Sequence, residues 1–482
     1  MENFSDIAGG GEIRSAARRS LLPWIAAHVL GGALLAWVAV ANGYPMIFAD
    51  TGGYLRVGNE FHYLPDRPIT YGLLIAPFAR FLGLWAIVVL QGLFASWLIG
   101  EVLVAVTGRR SAPILVLHIS ALAALSSLPW FVGQIMPDLF TALMALTLYL
   151  LIFVPYSYLR AWTMAALLAG QIAMHLSNIP VVAALIATGG ALLVWRHGWK
   201  AALCAVAPAL AALILALLGL CSINLLVVHS FRPSQESSQF LVARSFDGKI
   251  GQPVLDRICR AEKWRMCDVR TFVEDPARPL PGQDYLWAPD SPRGPLKALD
   301  PERLGAEEGA FVKRVLREDP VGTVRVAASG WRDQLFRARA GDGMIAYAPH
   351  MQVVQQIRRY LPDEVAGFEA SRQNNGTLQR LAAAPDRAIG LLLLLLAPFV
   401  LWFSVRRGDE RMSAFVIVVL MTVFTNAAVC GILSGPSDRY QSRVLWLVML
   451  MGLIACTRKE SRRENGRQFR GPEARGLPVS DS

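Results

Sequence analysis

Residues 201–229 read AALCAVAPALAALILALLGLCSINLLVVH, a run without a single Asp, Glu, Lys or Arg. A helix of about 20 residues crosses the ~30 Å hydrocarbon layer of a bilayer, and no soluble core requires so long an apolar stretch. The same kind of run recurs along the chain. A transmembrane window places helices near 21–41, 83–105, 112–130, 138–155, 162–177, 179–195, 201–229, 387–405, 412–433 and 443–457. The pair 162–177 and 179–195 is the shortest, divided by Asn178 and Pro180. The expected fold is therefore an all-α transmembrane bundle of about ten helices.

Composition agrees with that expectation. Of 482 residues, 54% are hydrophobic and only 17% charged, against roughly 25% charged in soluble domains. The net charge of +11 and a pI near 9.6 are compatible with nucleic-acid binding in principle, but the placement of the charge argues against it. The basic residues flank apolar runs: Arg109 and Arg110, Arg160, Arg196 and Lys200, then Arg406, Arg407 and Arg411. Others fill a C-terminal tail, 458–482, with Arg458, Lys459, Arg462, Arg463, Arg467, Arg470 and Arg475. Lys and Arg resist translocation and gather in cytoplasmic loops, and no nucleic-acid fold signature accompanies them. The N-terminal segment 1–20 carries Arg14, Arg18 and Arg19. Placing it in the cytoplasm and counting ten crossings returns the basic tail, expected to be disordered, to the same side. Both termini are then cytoplasmic, in a multi-pass protein of the cell membrane, most simply a bacterial inner membrane. The tail is positioned to meet anionic lipid. Ala39-Val40-Ala41 resembles a signal-peptide cleavage site, but the apolar stretch before it exceeds the usual 7–15 residues.

Between 230 and 386 the composition changes. Charges, Pro and Gly rise and the long apolar runs stop. The expectation is an inserted, mainly helical soluble domain outside the cell. Residues 300–319 have a capping Asp300 before Pro301 and place Leu304, Phe311, Val312 and Val315 on one side. Val324, Ala328, Trp331 and Leu335 mark a second helix by their spacings of three and four. Cys259 and Cys267 are a disulfide candidate in an oxidising compartment. Cys204, Cys221, Cys430 and Cys456 lie in apolar runs and read as small buried hydrophobes. No His accompanies the pair at 259 and 267, so two thiols alone do not make a metal site.

Ionisable groups near the membrane are costly and mark function more often than elsewhere. They fall on the outer side. The first outside loop, 42–82, holds Asp50-Thr-Gly-Gly-Tyr54, then Glu60, His62, Asp66, Arg67 and Tyr71. The next ends in Gln134-Ile-Met-Pro-Asp138, the third is His175-Leu-Ser-Asn178-Ile-Pro180, and the last runs from Ser434 through Asp438-Arg439-Tyr440 to Arg443. Each has a plainer structural reading. Asp50, Asp138 and Asp438 suit helix caps, His175 suits a bond to a neighbouring carbonyl, and Arg439 and Arg443 can snorkel to the interface. The case for a site rests on several acids, two arginines and a histidine gathering on one face.

This layout resembles the GT-C class of membrane glycosyltransferases, which take a sugar from a polyprenyl-phosphate lipid. Many helices, an outside soluble region and an acid soon after the first helix carry the resemblance, with Asp50 in the position of that acid. The first loop lacks an Asp-x-Asp or Glu-Glu pair, and the soluble segment precedes the last three helices instead of ending the chain. The Pro137-Asp138 loop, the His175-Leu-Ser-Asn178 stretch and the Asp438–Arg443 stretch also resemble those of uncharacterised bacterial multi-pass proteins. The class resemblance implies an inverting transfer with Asp50 as catalytic base. It places Arg439 and Arg443, four apart on one helical face, as a clamp on the lipid phosphate. Asp138, His175, Asp438, Tyr440, Tyr54 and Arg67 are the further substrate-binding candidates. The glycines after Thr51 permit close approach of the donor. In some relatives a divalent cation bridges acid and phosphate; no protein metal site is expected here. The expected partners are a polyprenyl-phosphate-linked sugar, membrane lipids and an envelope glycan or lipid acceptor, with no nucleic acid. Two rival readings are a transporter or flippase for a lipid-linked or envelope substrate, and a non-catalytic component of envelope assembly. Walker, dinucleotide and zinc-protease motifs are absent from the sequence.

Overall fold

Helices carry most of the described chain, residues 9–382 and 386–458 of the computed structural model, and no strand forms among these residues. The first apolar run gives α1 (Gly9–Leu35) and, after a break at Ala36, α2 (Trp37–Asn42). The first loop folds into α3 (Thr51–Glu60) and α4 (Thr70–Leu82). Then follow α5 (Leu84–Thr107), α6 (Ala112–Leu125), α7 (Leu128–Gly133), α8 (Leu139–Phe153), α9 (Tyr158–Ala173), α10 (Asn178–His197) and α11 (Trp199–Val228). A series of shorter helices comes next: α12 (Ser238–Asp247), α13 (Gly251–Ala261), α14 (Arg270–Glu274), α15 (Pro281–Trp287), α16 (Arg293–Leu299), α17 (Pro301–Glu318), α18 (Pro320–Phe336), α19 (Gln352–Tyr360) and α20 (Val365–Ala370). The chain closes with α21 (Asp386–Arg406), α22 (Glu410–Leu433) and α23 (Asp438–Thr457).

Among the described residues six helices are long and apolar enough to cross a membrane: α5, α10, α11, α21 from Ala388 onward, α22 and α23. Leu21–Leu35, α4, α6 and α8 are apolar but shorter. The differences from the expected spans have local causes. Residues 112–130 do not form one helix, because the Ser126 hydroxyl bonds the Leu122 carbonyl at 2.6 Å and accepts from the Leu128 amide at 3.3 Å. Pro129, without an amide proton, then starts α7. The expected span at 162–177 is α9, whose 16 residues bury Met164, Leu168 and Ile172 on one side while Arg160 and Trp162 point outward.

The helix ends sort into two groups. At one end Arg411 Nη1 donates to the Ala105 carbonyl at 3.1 Å, and the Tyr149 hydroxyl donates to the Arg411 carbonyl at 3.2 Å. Arg458 pairs with Asp409 beside them. The C-terminal ends of α5, α8 and α23 therefore meet the N-terminal end of α22. The opposite end receives the first loop and the starts of α8, α10 and α23.

Residues 230–386 carry two different cores. Helices α12 to α17 enclose their own, with Phe246, Leu255, Ile258, Tyr285 and Phe311 buried together. A disulfide joins Cys259 to Cys267 there, with Cα atoms 5.6 Å apart. Asp300 caps α17 through the Arg303 amide at 3.1 Å, and Asp319 caps α18 through the Gly322 amide at 2.8 Å. After α18 the chain leaves that core. Val353, Ile357 and Phe368 pack into the main bundle, and Ala340, Met344 and Leu378 pack with Val38, Met46 and Trp130. Gln373 ties this return segment to the first loop: its Oε1 accepts the Ile47 amide at 2.9 Å and its Nε2 donates to the Ile47 carbonyl at 2.5 Å. Glu364 adds a second tie by accepting the Tyr44 hydroxyl at 2.6 Å and the Leu84 amide at 3.1 Å. So residues 238–318 form a lobe with a core of its own, followed by a strap laid across the bundle.

Candidate functional site

The first loop and the turn before α8 are pinned side by side. The Met46 amide donates to the Gly133 carbonyl at 2.9 Å, and the Ile135 amide returns to the Met46 carbonyl at 3.0 Å. Thr51 strengthens the joint: its hydroxyl accepts the Phe48 amide and donates to the Ile135 carbonyl, both at 3.0 Å. This is what brings Asp50 and Asp138 to the same end of the bundle.

Asp50 opens α3, but its side chain makes no cap there. Its Oδ1 instead lies 2.6 Å from Arg67 Nη1, and Arg67 Nη2 is also 2.6 Å from Asp66 Oδ2. The Asp50 carboxylate remains 27% exposed, so it reaches the protein surface while held by the arginine.

Asp138 opens α8 and likewise caps nothing. It is fully buried, with Oδ1 3.2 Å from Arg443 Nη1 and 3.8 Å from Arg439 Nε. A buried carboxylate is tolerated only when paired. Arg443 is buried as completely and spends every nitrogen inward. Nη2 donates to the Ser177 hydroxyl at 2.9 Å and to Asn426 Oδ1 at 2.8 Å, and Nε donates to the same Asn426 oxygen at 3.2 Å. Asn426 is itself oriented by donating to the Tyr440 carbonyl at 2.7 Å and Gln441 Oε1 at 3.1 Å. Ser177 continues the chain to His175, whose Nδ1 receives the Ser177 amide at 3.2 Å and lies 2.8 Å from its hydroxyl. Because that amide can only donate, Nδ1 is the acceptor nitrogen and the neutral ring carries its proton on Nε2.

Arg439 behaves differently from Arg443. Its guanidinium sits 4.0 Å above the Phe48 ring and 5.2 Å from the Tyr440 ring. Its Nη1 is buried with no protein partner. It borders a small hollow with Trp130, Gln134, Asp342 and Ser442, and Gln134 Nε2 is a second buried donor there without a protein partner. Tyr54, fully buried against Tyr71, lies within electrostatic reach of Asp50, Arg67, Asp138 and Arg439 and so joins the two clusters.

The structure thus brings Asp50, Tyr54, Arg67, Asp138, His175, Arg439, Tyr440 and Arg443 to one place. Asp438 stands apart: its carboxylate accepts the Arg339 amide at 3.0 Å, where the strap begins. Of the expected pair of arginines, Arg443 spends its nitrogens on Asp138, Asn426 and Ser177, whereas Arg439 keeps one nitrogen without a protein partner. Sequence reading missed Asn426 and Asp342. Asn426 had a signal, a lone amide in an apolar helix. Asp342, which accepts the Ser437 hydroxyl at 2.7 Å and the Arg439 amide at 3.1 Å, had none. Among the described residues no group of three or more His, Cys, Asp or Glu side chains is arranged to hold a metal ion. No protein-family model matches the chain, and neither a curated protein nor a solved structure matches it. Chemically, the site combines an accessible carboxylate, a cation with a free donor and aromatic walls, above a buried ionic network.

Proposed function

We propose that this protein is a membrane glycosyltransferase of GT-C type, moving a sugar from a polyprenyl-phosphate donor to a cell-envelope glycan or lipid on the outer face of the membrane. The observation that carries the reading is the difference between the two carboxylates. Asp138 is locked in a buried ion pair, whereas Asp50 is partly exposed, fixed by Arg67 and close to Arg439. A base must reach its proton, and only Asp50 has that access. In the transfer, the acceptor hydroxyl gives its proton to Asp50 while its oxygen bonds to the anomeric carbon. The bond from that carbon to the phosphate oxygen breaks, and the phosphate leaves with the electron pair. Arg439 faces that developing charge with its free nitrogen. Arg443, itself braced through Ser177 by His175, holds Asp138 and through it Arg439 in register.

The same proposal includes the topology. Ten crossings with both termini in the cytoplasm place the Arg411–Ala105 end inside and the Asp50 end outside. Basic residues near the first end, Arg160, Arg196, Arg411 and Arg458, agree with that orientation. In this arrangement the 238–318 lobe is the inserted extracytoplasmic domain.

The test is Asp50→Asn in the purified, folded protein, assayed for release of polyprenyl phosphate from a panel of polyprenyl-linked sugars. Turnover by the wild type that is lost in the variant, at unchanged thermal stability, supports the reading. Turnover by both removes Asp50 from its role, and no turnover by either refutes the transferase. A transporter remains the second reading because Asp138 Oδ2 and the whole Gln171 side-chain amide are buried without protein partners. Polar groups left open inside a bundle suit a substrate or water path. Uptake of lipid-linked sugar by liposomes holding the protein distinguishes it.

A further inference from the structure

Helix α18 packs along α22 at its outer half. Gly330 and Gly431 meet backbone to backbone, so closely that a Cβ on Gly330 would stand 2.3 Å from the Gly431 carbonyl oxygen. The Trp331 indole donates to the Phe424 carbonyl at 3.2 Å, reaching a residue in the interior of an apolar, membrane-length helix. The Gln334 side chain closes the far end with bonds of 2.8 and 2.9 Å to the Ser437 backbone. These contacts use one face of α18, the one bearing Gly330 and Gln334.

A neighbouring face carries Val321, Val324, Ala328, Trp331 and Leu335, spaced by three and four. Leu335 at its end packs against the main bundle, but the rest is not covered by the protein: Val321 and Val324 are each 68% exposed and Trp331 is 41% exposed. Beyond it around the helix stand Arg325 and Arg332, both exposed. A row of apolar side chains edged by arginines, next to a tryptophan with one polar bond, is the pattern of helices that lie in a membrane interface.

We infer that α18 is bedded in the outer-leaflet interface, its Val321–Trp331 stripe against lipid acyl chains and Arg325 and Arg332 at headgroup level. The occupant is lipid because the stripe continues the surface of α22, whose apolar length already requires a bilayer. The inference does not depend on the transferase reading. It makes the 238–318 lobe a body held on the membrane plane at two points, α11 before it and α18 after it, in place of one hanging free on loops.

The test uses the full chain in phosphatidylcholine vesicles, in a background where the exposed thiols Cys204 and Cys456 are replaced by serine. A nitroxide is attached at Val324→Cys, and collision with oxygen, which concentrates in acyl chains, is compared with collision with a water-soluble nickel chelate. Leu395→Cys on the exposed face of α21 is the lipid reference, and Glu302→Cys at the start of α17 is the water reference. The expected result is that Val324→Cys keeps oxygen contact and loses nickel contact, as Leu395→Cys does. Nickel contact equal to that of Glu302→Cys overturns the inference in favour of a solvated face. Loss of contact with both overturns it in favour of a protein cover, such as a second copy. As a second readout, lipids brominated near the headgroup should quench the wild type more than Trp331→Phe, and equal quenching counts against the assignment.

Discussion

Asp138 and Arg443, 305 residues apart in the chain, meet at 3.2 Å with neither side chain exposed to solvent. The pair fastens the start of α8 to the second turn of α23, and Asn426 and Ser177 complete the arginine's bonds from α22 and from the turn before α10. Four segments thus depend on one guanidinium.

Removing one partner should therefore be severe. Arg443→Ala strands a buried carboxylate and is expected to cost about 3–5 kcal/mol. Asp138→Asn/Arg443→Met together should recover a large part of that loss, because no uncompensated charge remains. Thermal unfolding of the two variants in detergent checks this, and a double variant no more stable than Arg443→Ala would contradict it.

Asn426→Leu keeps the apolar character of α22 but takes away the oxygen that receives two of the arginine's donors. The expected cost is about 1–3 kcal/mol. Asn426→Asp, which keeps an acceptor, should be milder. The unfolding midpoints of the two variants rank them directly.

Gly330→Val and Gly431→Val should each force α18 away from α22, since every added Cβ lands within 2.3 Å of the opposite carbonyl oxygen. A loss of about 1–3 kcal/mol is typical of such overpacking. Limited proteolysis should then cut near 319–345 sooner than in the wild type, while the bundle stays intact.

The Cys259–Cys267 bridge closes a short loop, which on the chain-entropy view is worth about 2–3 kcal/mol. Reduction, or Cys259→Ser with Cys267→Ser, should lower the stability of the 238–318 lobe alone. Hydrogen exchange resolved by peptide should show faster exchange in α13 and α14 and none in α5 or α22.

Burial raises the Asp247 carboxyl above its usual range, against the pull of the Gly282 amide and Arg244. A raised folded pKa contributes stability below the ordinary carboxylate range and loses it as pH climbs through the raised value. The wild type should therefore lose stability relative to Asp247→Asn between the ordinary and the raised value, then run parallel to it at higher pH. A constant difference across that window would show that burial is not the governing cause.

The membrane helices were legible because hydrophobic length is a local property of the sequence. Residues 201–229, for instance, became α11 within two residues at each end. The gathering of Asp50, Asp138, His175 and Arg439 at one end of the bundle was legible because alternating helix directions sort loops by end. What escaped was pairing. Nothing local distinguishes Arg439 from Arg443, although one keeps a free nitrogen and the other keeps none. That difference is set by Asn426 and Ser177, which arrive from other helices. The extent of the 238–318 lobe escaped for a similar reason, since the strap residues Val353, Ile357 and Phe368 have the spacing of any small domain core. Only the bundle they pack against shows that they are not one.

The bond from Ile47 to Gln373 spans 326 residues. At a synthesis rate of about 5–20 residues per second, roughly 15–65 s separate the two ends of that contact on the ribosome. During that interval the first loop, with Asp50 on it, stands without the strap that covers it in the finished protein. The site is therefore late to assemble even though its first acid is made early, and a nascent chain stopped inside the lobe holds an open, unshaped loop where the finished protein has a site.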